Sequence, residues 1–387
     1  MKKWTSDDGK VVLYCADCRD VLPTLEPVET CITDPPYGIL FMSREWDHGV
    51  PSSETWERVS AALKPGAMLL AFGGTRMWHR LAVAIEDAGF ELRDTLMWLY
   101  GSGFPKSLNI SKAIDAMAGA EREVVGPRCR VDGKKPGHKN LGENSTYNSK
   151  GRDMSGLVET APATDAAKAF DGYGTSLKPS FEPVLMAMKS LEGTYAANAL
   201  EHGVAGLNID GCRIDYGERG PDRPFSQHVT TGAAHWGNSE AKELQKYKAE
   251  GRWPTNVVLD EEAAAILDQQ SDGASRFLYT SKASRSERTA SGDVTNQHPT
   301  VKPLDLMRWL CRLTSTPTKG TVLDPFMGSG STGVAAVCEG RGFIGIEMDE
   351  ASFDVAVERI RTAGVYPDEE SKDDEPRFTA SGQGSLF

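Results

Sequence analysis

No apolar run in this 387-residue chain approaches the roughly 18 residues that cross a bilayer. The opening Met1-Lys2-Lys3-Trp4 has no apolar h-region, so neither a membrane span nor a secretory signal is expected and the chain is read as cytoplasmic. Cysteine is scarce: seven residues, an odd number, lie far apart, which argues against a disulfide framework and for a reducing compartment. The one close pair, Cys15-x-x-Cys18, has no second Cys pair and no suitably spaced His pair with which to complete a four-ligand zinc site. Both are expected to be buried thiols at a strand end, and no metal is expected. No internal repeat is found. Positive charge is also in deficit, with a net charge of −12, which as a whole-chain average opposes a polyanionic partner.

Charge is unevenly spread, however, and phosphate binding depends on local clusters. Residues 128–152 carry seven Lys/Arg against two acids, Asp132 and Glu143, whereas 368–377 carry six acids against two bases. Arg276, Lys282, Arg285 and Arg288 form a second basic group. Either cluster suits phosphate contacts, and either is equally compatible with ordinary solvated surface.

The length suits one large domain with a smaller one. Strand-like runs at 11–14, 30–33, 67–72 and 92–99 alternate with helical spacing at 56–63 and 81–88, and Lys64-Pro65-Gly66 and Gly89 act as breakers. Residues 126–180 and 216–252 are polar and loop-like, with a strand-like return at 181–188. Regular structure resumes with a strand at 257–259, helices at 261–269 and 304–313, and a β-α-β unit from Thr321 through Phe343–Ile346. A helix at about 351–360 follows. Alternating strands and helices predict an α/β fold, a Rossmann-like doubly wound and mostly parallel sheet with helices on both faces. The expected layout has a first half of the main domain at 1–120, a loop-rich insertion at 121–251, a second half at 252–365 and a charged tail at 366–387.

Two motifs carry chemistry. Gly328-Ser-Gly330-Ser-Thr-Gly333 follows a Val-Leu strand ending in Asp324 and opens a helix, and Glu347 ends the next strand. That context fits a nucleoside site with an acid for ribose hydroxyls. The nearer rival is a dinucleotide oxidoreductase. A carboxylate directly before the loop would repel a pyrophosphate but suits the ammonium of S-adenosylmethionine. Asp34-Pro35-Pro36-Tyr37 places a carboxylate, a stiff backbone and an aromatic ring after the 30–33 strand. An aromatic amine is a poor nucleophile because its lone pair is delocalised. Acceptors at its N–H groups, the Asp34 carboxylate and the Pro35 carbonyl, would localise that lone pair. Tyr37 can stack on a base swung out of a duplex.

With these motifs in this order, the chain resembles the beta class of amino-group DNA methyltransferases, in which the tetrapeptide precedes the methyl-donor loop. The resemblance covers about 11–104 and 253–360. It includes Asp17-Cys18 before the tetrapeptide, Leu63-Lys-Pro-Gly66 before a strand, and His298-Pro-Thr-Val-Lys-Pro303 before Asp324. It implies a permuted S-adenosylmethionine-dependent methyltransferase fold. The donor would be held by His298, Thr300, Lys302, Asp324, Phe326, Gly328, Gly330, Ser331, Thr332 and Glu347, with Asp17 and Cys18 near its adenine. Asp34, Pro35, Pro36 and Tyr37 would hold the target amine. The substrate would be double-stranded DNA, recognition would fall in the insertion, and a homodimer is compatible with the family. Members that begin the tetrapeptide with Asp mostly methylate adenine N6, and those with Ser cytosine N4, so adenine is favoured. Cytosine C5 chemistry needs a cysteine, usually after proline, and none of the seven follows one. A binding module that keeps the donor pocket without catalysis is the remaining reading.

Overall fold

The computed structural model describes residues 2–38, 49–101, 103, 107–127, 158–216, 251–271, 273–281 and 302–363. These form two compact units, one from residues of 1–101 and 181–387 and the other from residues of 102–180. The larger unit opens with β1 (Lys2–Thr5), β2 (Val11–Cys15), α1 (Cys18–Val21), β3 (Val28–Thr33), α2 (Ser53–Ala61), β4 (Leu63–Phe72), α3 (Trp78–Asp87) and β5 (Phe90–Leu99). The smaller unit contains α4 (Ile110–Met117), β6 (Val124–Pro127), β7 (Val158–Thr160) and α5 (Asp165–Ala169). The larger unit resumes with β8 (Phe181–Lys189), α6 (Tyr195–His202), β9 (Val257–Asp260), α7 (Glu261–Gln270), β10 (Tyr279–Ser281), α8 (Leu304–Leu313), β11 (Thr321–Asp324), α9 (Ser331–Cys338), β12 (Gly342–Glu347) and α10 (Glu350–Thr362).

Ten strands of the larger unit make one sheet in the order β1-β2-β12-β11-β3-β4-β8-β5-β9-β10. The strands from β2 to β4 run parallel, as do β5, β9 and β10, while β1 pairs antiparallel with β2 and β8 runs antiparallel to both β4 and β5. The architecture is the mostly parallel, doubly wound α/β sheet expected. Alternation along the strands explains its two cores. Ile32, Leu70, Phe72, Val184, Met186, Val322 and Phe343 face one way, onto Trp309 and Leu310 of α8, Val334 of α9 and Phe353 of α10. Cys31, Leu69, Ala71, Leu185, Leu323 and Ile346 face the other, onto Val21 of α1, Trp56 of α2 and Leu81 of α3. In α8 the buried Leu306, Met307, Trp309, Leu310 and Leu313 recur at helical spacing and form a single apolar stripe.

Two local features differ from the sequence reading. The helix α2 ends before Lys64-Pro65-Gly66, as expected, but the tripeptide itself belongs to β4, which starts at Leu63 and not at 67. The pairing with β3 slips from Val28↔Leu63 to Thr30↔Met68, and Gly66 takes φ +77°. Asn198 of α6, fully buried, fixes this irregularity by donating to the Pro65 carbonyl at 2.9 Å. The second difference concerns β8, which lies within the interval expected to be an insertion. It is a central strand of the sheet, and its continuous apolar run is explained by burial on both faces. In the smaller unit, Asp115 of α4 is buried and accepts from Arg122 at 2.6 Å, from the backbone of Ala163 and Thr164 and from the Thr164 hydroxyl. These bonds hold its carboxyl well down, at about 2, against the cost of burial. No helix among the described residues is long and apolar enough to cross a membrane.

Candidate functional site

The parallel strands at the centre of the sheet deliver a row of acids at their carboxyl ends. Asp17 follows β2, Glu347 closes β12, Asp324 closes β11 and Asp34 follows β3. β11 and β3 are neighbours whose chains then leave in opposite directions, to β12 on one side and to β4 on the other. In an open α/β sheet such a reversal leaves a crevice at the strand ends, the usual position for a ligand. The two motifs, far apart in sequence, meet there: the Thr33 hydroxyl donates to Asp324 Oδ1 at 2.7 Å.

On the β11 side, Asp324 is buried and also accepts from the Phe326 amide at 3.1 Å. Burial pushes its carboxyl up to about 7, against hydrogen bonds from Thr332, Thr33 and Phe326 that pull it down. Glu347 accepts from the Gly328 amide at 2.9 Å and from the Asp349 amide at 2.7 Å. Burial raises its pKa too, with those amides opposing. Phe326 packs edge-on to Trp56 at 6.3 Å. The glycines divide the work. Gly328 and Gly330 adopt φ +52° and +83°, a region open to glycine. A β-carbon on Gly330 would sit 2.9 Å from Ala356 Cβ, and one on Gly333 would lie 2.6 Å from the Phe343 ring. Their small size therefore serves packing of the loop and α9 against α10 and β12. Arg359 of α10, buried, donates to the Ser329 carbonyl at 2.6 Å and to the Ser331 hydroxyl at 3.3 Å, fixing the loop from behind. Thr332 is buried in the first turn of α9.

Asp17 caps α1 by accepting from the Arg19 amide at 2.9 Å, and the Arg19 guanidinium holds its carboxyl below the usual range against partial burial. Cys18 is buried, which pushes its thiol up to about 11. That is the environment of an inert thiol.

On the β3 side, Pro35 is buried and Asp34, Pro36 and Tyr37 are half-buried. The Tyr37 hydroxyl donates to Asp34 Oδ1 at 2.8 Å, and its ring lies against Gly74, where a β-carbon would come within 3.1 Å of Cδ2. Lys302, expected with the donor residues, has its buried ammonium at the tetrapeptide, between two carboxylates. Its Nζ lies 2.9 Å from Asp34 Oδ2, 3.0 Å from Glu182 Oε2 and 3.0 Å from the Tyr37 hydroxyl. Burial pulls the ammonium's pKa down, yet Asp34, Glu182 and Tyr37 together hold it well above the ordinary lysine value. Burial and Asp34 raise the Tyr37 phenol well above its own.

Glu182 of β8 and Thr33 are the contributors that sequence reasoning missed. Thr33 stood in the motif's shadow. Glu182 sits in Phe-Glu-Pro at the start of a strand, and nothing in its local sequence shows that antiparallel insertion beside β4 brings it to the same sheet edge. His298, Thr300, Lys282, Arg285, Arg288 and the cluster at 128–152 lie outside the described residues.

A family model described as DNA methylase, of the N6/N4 type, matches residues 28–358. Segments of the chain are similar to curated proteins. One is the DNA adenine methyltransferase YhdJ of Escherichia coli K12, 40% identical over 78 residues, 20% of this chain and 26% of that protein. Another is the type II methyltransferase M.HinfI of Haemophilus influenzae, 37% identical over 83 residues, 21% of this chain and 23% of that protein. These alignments thus span about a quarter of each relative's length. Among solved structures, M1.HpyAVI is 16% identical with a TM-score of 0.42, over 90% of this chain and 97% of its own. The PvuII DNA methyltransferase, titled cytosine-N4-specific, is 14% identical with a TM-score of 0.45, over 92% and 86%.

Proposed function

Since this chain belongs to the N6-adenine/N4-cytosine DNA methylase family, we propose that it transfers a methyl group from S-adenosylmethionine to the N6 amino group of adenine in double-stranded DNA. The observation that carries this reading is the Thr33–Asp324 hydrogen bond, which sets the tetrapeptide beside the glycine loop.

S-adenosylmethionine is the family's methyl donor, and the residues around the loop fit it better than a dinucleotide. Three of the loop amides that a pyrophosphate would use are already engaged: Phe326 N–H by Asp324, Gly328 N–H by Glu347 and Gly330 N–H by the Met327 carbonyl at 2.8 Å. The charges presented by Asp324 and Glu347 are negative, which suits an ammonium and ribose hydroxyls. We assign Asp324 to the donor's amino-acid end, Glu347 to its ribose, Phe326 and the loop Gly328 to Thr332 to its body, and Asp17 and Cys18 to its adenine. His298 and Thr300 complete that set by family resemblance. Bound there, the donor supplies an electrophilic methyl carbon on a sulfonium, whose C–S electron pair stays with sulfur as the new N–C bond forms.

The chain's own task lies at the amine. Asp34 and the Pro35 carbonyl accept its N–H groups and turn the lone pair toward the methyl carbon. Positive charge then develops on nitrogen, which the Asp34 carboxylate stabilises until it takes the departing proton and passes it to water. Pro35 and Pro36 keep these acceptors fixed. Tyr37 holds Asp34 through its hydroxyl, and its ring is assigned to stacking on the extruded base. Asp34 at the head of the tetrapeptide favours adenine over cytosine N4. Target recognition is assigned to the 121–251 interval, apart from the sheet strand β8.

The test is to incubate the protein with unmethylated DNA and methyl-labelled S-adenosylmethionine, then analyse the nucleosides. N6-methyladenine is expected. N4-methylcytosine would overturn the choice of base, and no incorporation would overturn the activity. Asp34→Asn should abolish incorporation while leaving donor affinity, read by calorimetry, within about threefold of the parent, since a residue reserved for the transition state contributes little to ground-state binding.

A further inference from the structure

Beyond the tetrapeptide, the crevice contains a closed group of four buried or half-buried polar side chains drawn from three distant parts of the chain. Asp34 and Tyr37 come from the end of β3, Glu182 from β8 and Lys302 from the approach to α8. The Tyr37 hydroxyl is within hydrogen-bonding reach of the other three, at 2.8 Å from Asp34, 3.2 Å from Glu182 and 3.0 Å from Lys302. Lys302 bridges the two carboxylates at 2.9 and 3.0 Å, and its ring contacts with Tyr37 and Phe72, at 5.4 and 4.9 Å, complete its enclosure.

Charge makes the composition informative. Asp34 with Lys302 alone is a neutral pair, in which the ammonium cancels much of the negative potential that the aspartate would present to a nitrogen becoming cationic. A second carboxylate on the same ammonium returns the group to one net negative charge. In a buried setting that difference is felt strongly at the reacting nitrogen. Glu182 also shares the Lys302 ammonium with Asp34, at 3.0 Å against 2.9 Å, so the aspartate is not its sole counter-charge.

We propose that Glu182 is a positioning residue for methyl transfer, which balances Lys302 so that Asp34 keeps its negative charge directed at the target amine. This rests on the methyltransferase reading above. Bond making and breaking are unchanged: Glu182 takes no proton and touches neither reactant.

The experiment is a charge-balance cycle of Glu182→Gln, Lys302→Met and the double variant, each assayed by single-turnover methyl transfer on DNA and by donor binding. Glu182→Gln leaves a neutral group, and the transfer rate is expected to fall about 100-fold, the scale of losing one preorganised electrostatic contact. Its donor affinity should stay within about threefold of the parent. Lys302→Met in the Glu182→Gln background restores one net negative charge, and at least a tenfold recovery over Glu182→Gln is expected, on the order of one such partial interaction. Additive losses without recovery, or a Glu182→Gln variant as fast as the parent, overturn the proposal. An independent readout is nitrogen-detected NMR of the Lys302 ammonium in the ligand-free protein. Glu182→Gln should lower its titration by about one pH unit or more, and an unchanged titration would show that Glu182 does not act on Lys302. A parent protein without methyl transfer would sink the functional reading, while the NMR result would still decide whether Glu182 balances Lys302.

Discussion

At the scale of single residues, Asp324 is the group with the clearest measurable signature. An unfolded aspartate titrates near 3.9, whereas buried Asp324 titrates at about 7. Between those values the native chain holds a proton that the unfolded chain has released, so stability should decline as pH rises through the window. The slope is about 1.4 kcal/mol per pH unit for one such proton. Asp324→Asn removes the ionisation, and its urea-unfolding free energy should be flatter than the parent's between pH 5 and 7; equal slopes would place the titration elsewhere. The same group should couple to the donor. A cationic amino-acid moiety favours the carboxylate, so binding below pH 7 should release a proton, and affinity should climb toward pH 7 before levelling. Calorimetry in buffers of different ionisation enthalpy reads that proton, and Asp324→Asn should bind more weakly with no proton released. Asp324 was legible in sequence as a site residue because its place before the glycine loop is a local pattern, whereas its Thr33 partner, 291 positions away, was not. The Glu182 cluster was not, because its members lie at positions 34, 37, 182 and 302, and only strand order brings them together.

At the scale of elements, the glycine loop shows how a correct motif can carry more than one reason. The glycines read naturally as space for a ligand. Two of them also answer to packing: Gly330 against Ala356, and Gly333 against Phe343 and Ile360. A conformational requirement is legible from local sequence, but the neighbour that fills the space is not. Gly333→Val should therefore destabilise the fold, since its side chain has to displace a buried phenylalanine on β12 and an isoleucine on α10. About 2–3 kcal/mol is expected from overpacking of this kind, read as a lower urea midpoint with an unchanged m-value. If stability is retained and only donor binding is lost, the glycine serves the ligand and not the packing. Long, strongly patterned elements were the most readable. The 304–313 helix coincides with α8 because its apolar stripe is complete within ten residues. The short strands β1 and β10, three or four residues each, depend on a pre-existing sheet edge and leave little trace in composition.

At the scale of the whole molecule, electrostatics poses a problem that the fold alone does not solve. The crevice gathers Asp17, Asp34, Asp324, Glu347 and Glu182 at one sheet edge, with Lys302 already committed to two of them, and the chain carries −12 overall. That field welcomes a cationic donor and stabilises a cationic amine, but it repels the phosphates of the proposed substrate. Attraction for DNA must come from a separate concentration of positive charge, and the larger of the two basic groups is 128–152, with seven Lys/Arg against two acids. That segment lies outside the described residues, and its charge alone motivates the test. Each phosphate neutralised on duplex DNA contributes about 0.9 to the slope of log affinity against log salt. Replacing Arg128, Arg130, Lys134, Lys135, Lys139, Lys150 and Arg152 by Gln should flatten that slope by as much as about six. DNA affinity at low salt should weaken steeply, while donor affinity and thermal midpoint remain those of the parent. Fluorescence anisotropy of a labelled duplex across a salt series measures this directly. An unaltered slope would mean that these seven charges face solvent and that the phosphates are held elsewhere on the protein.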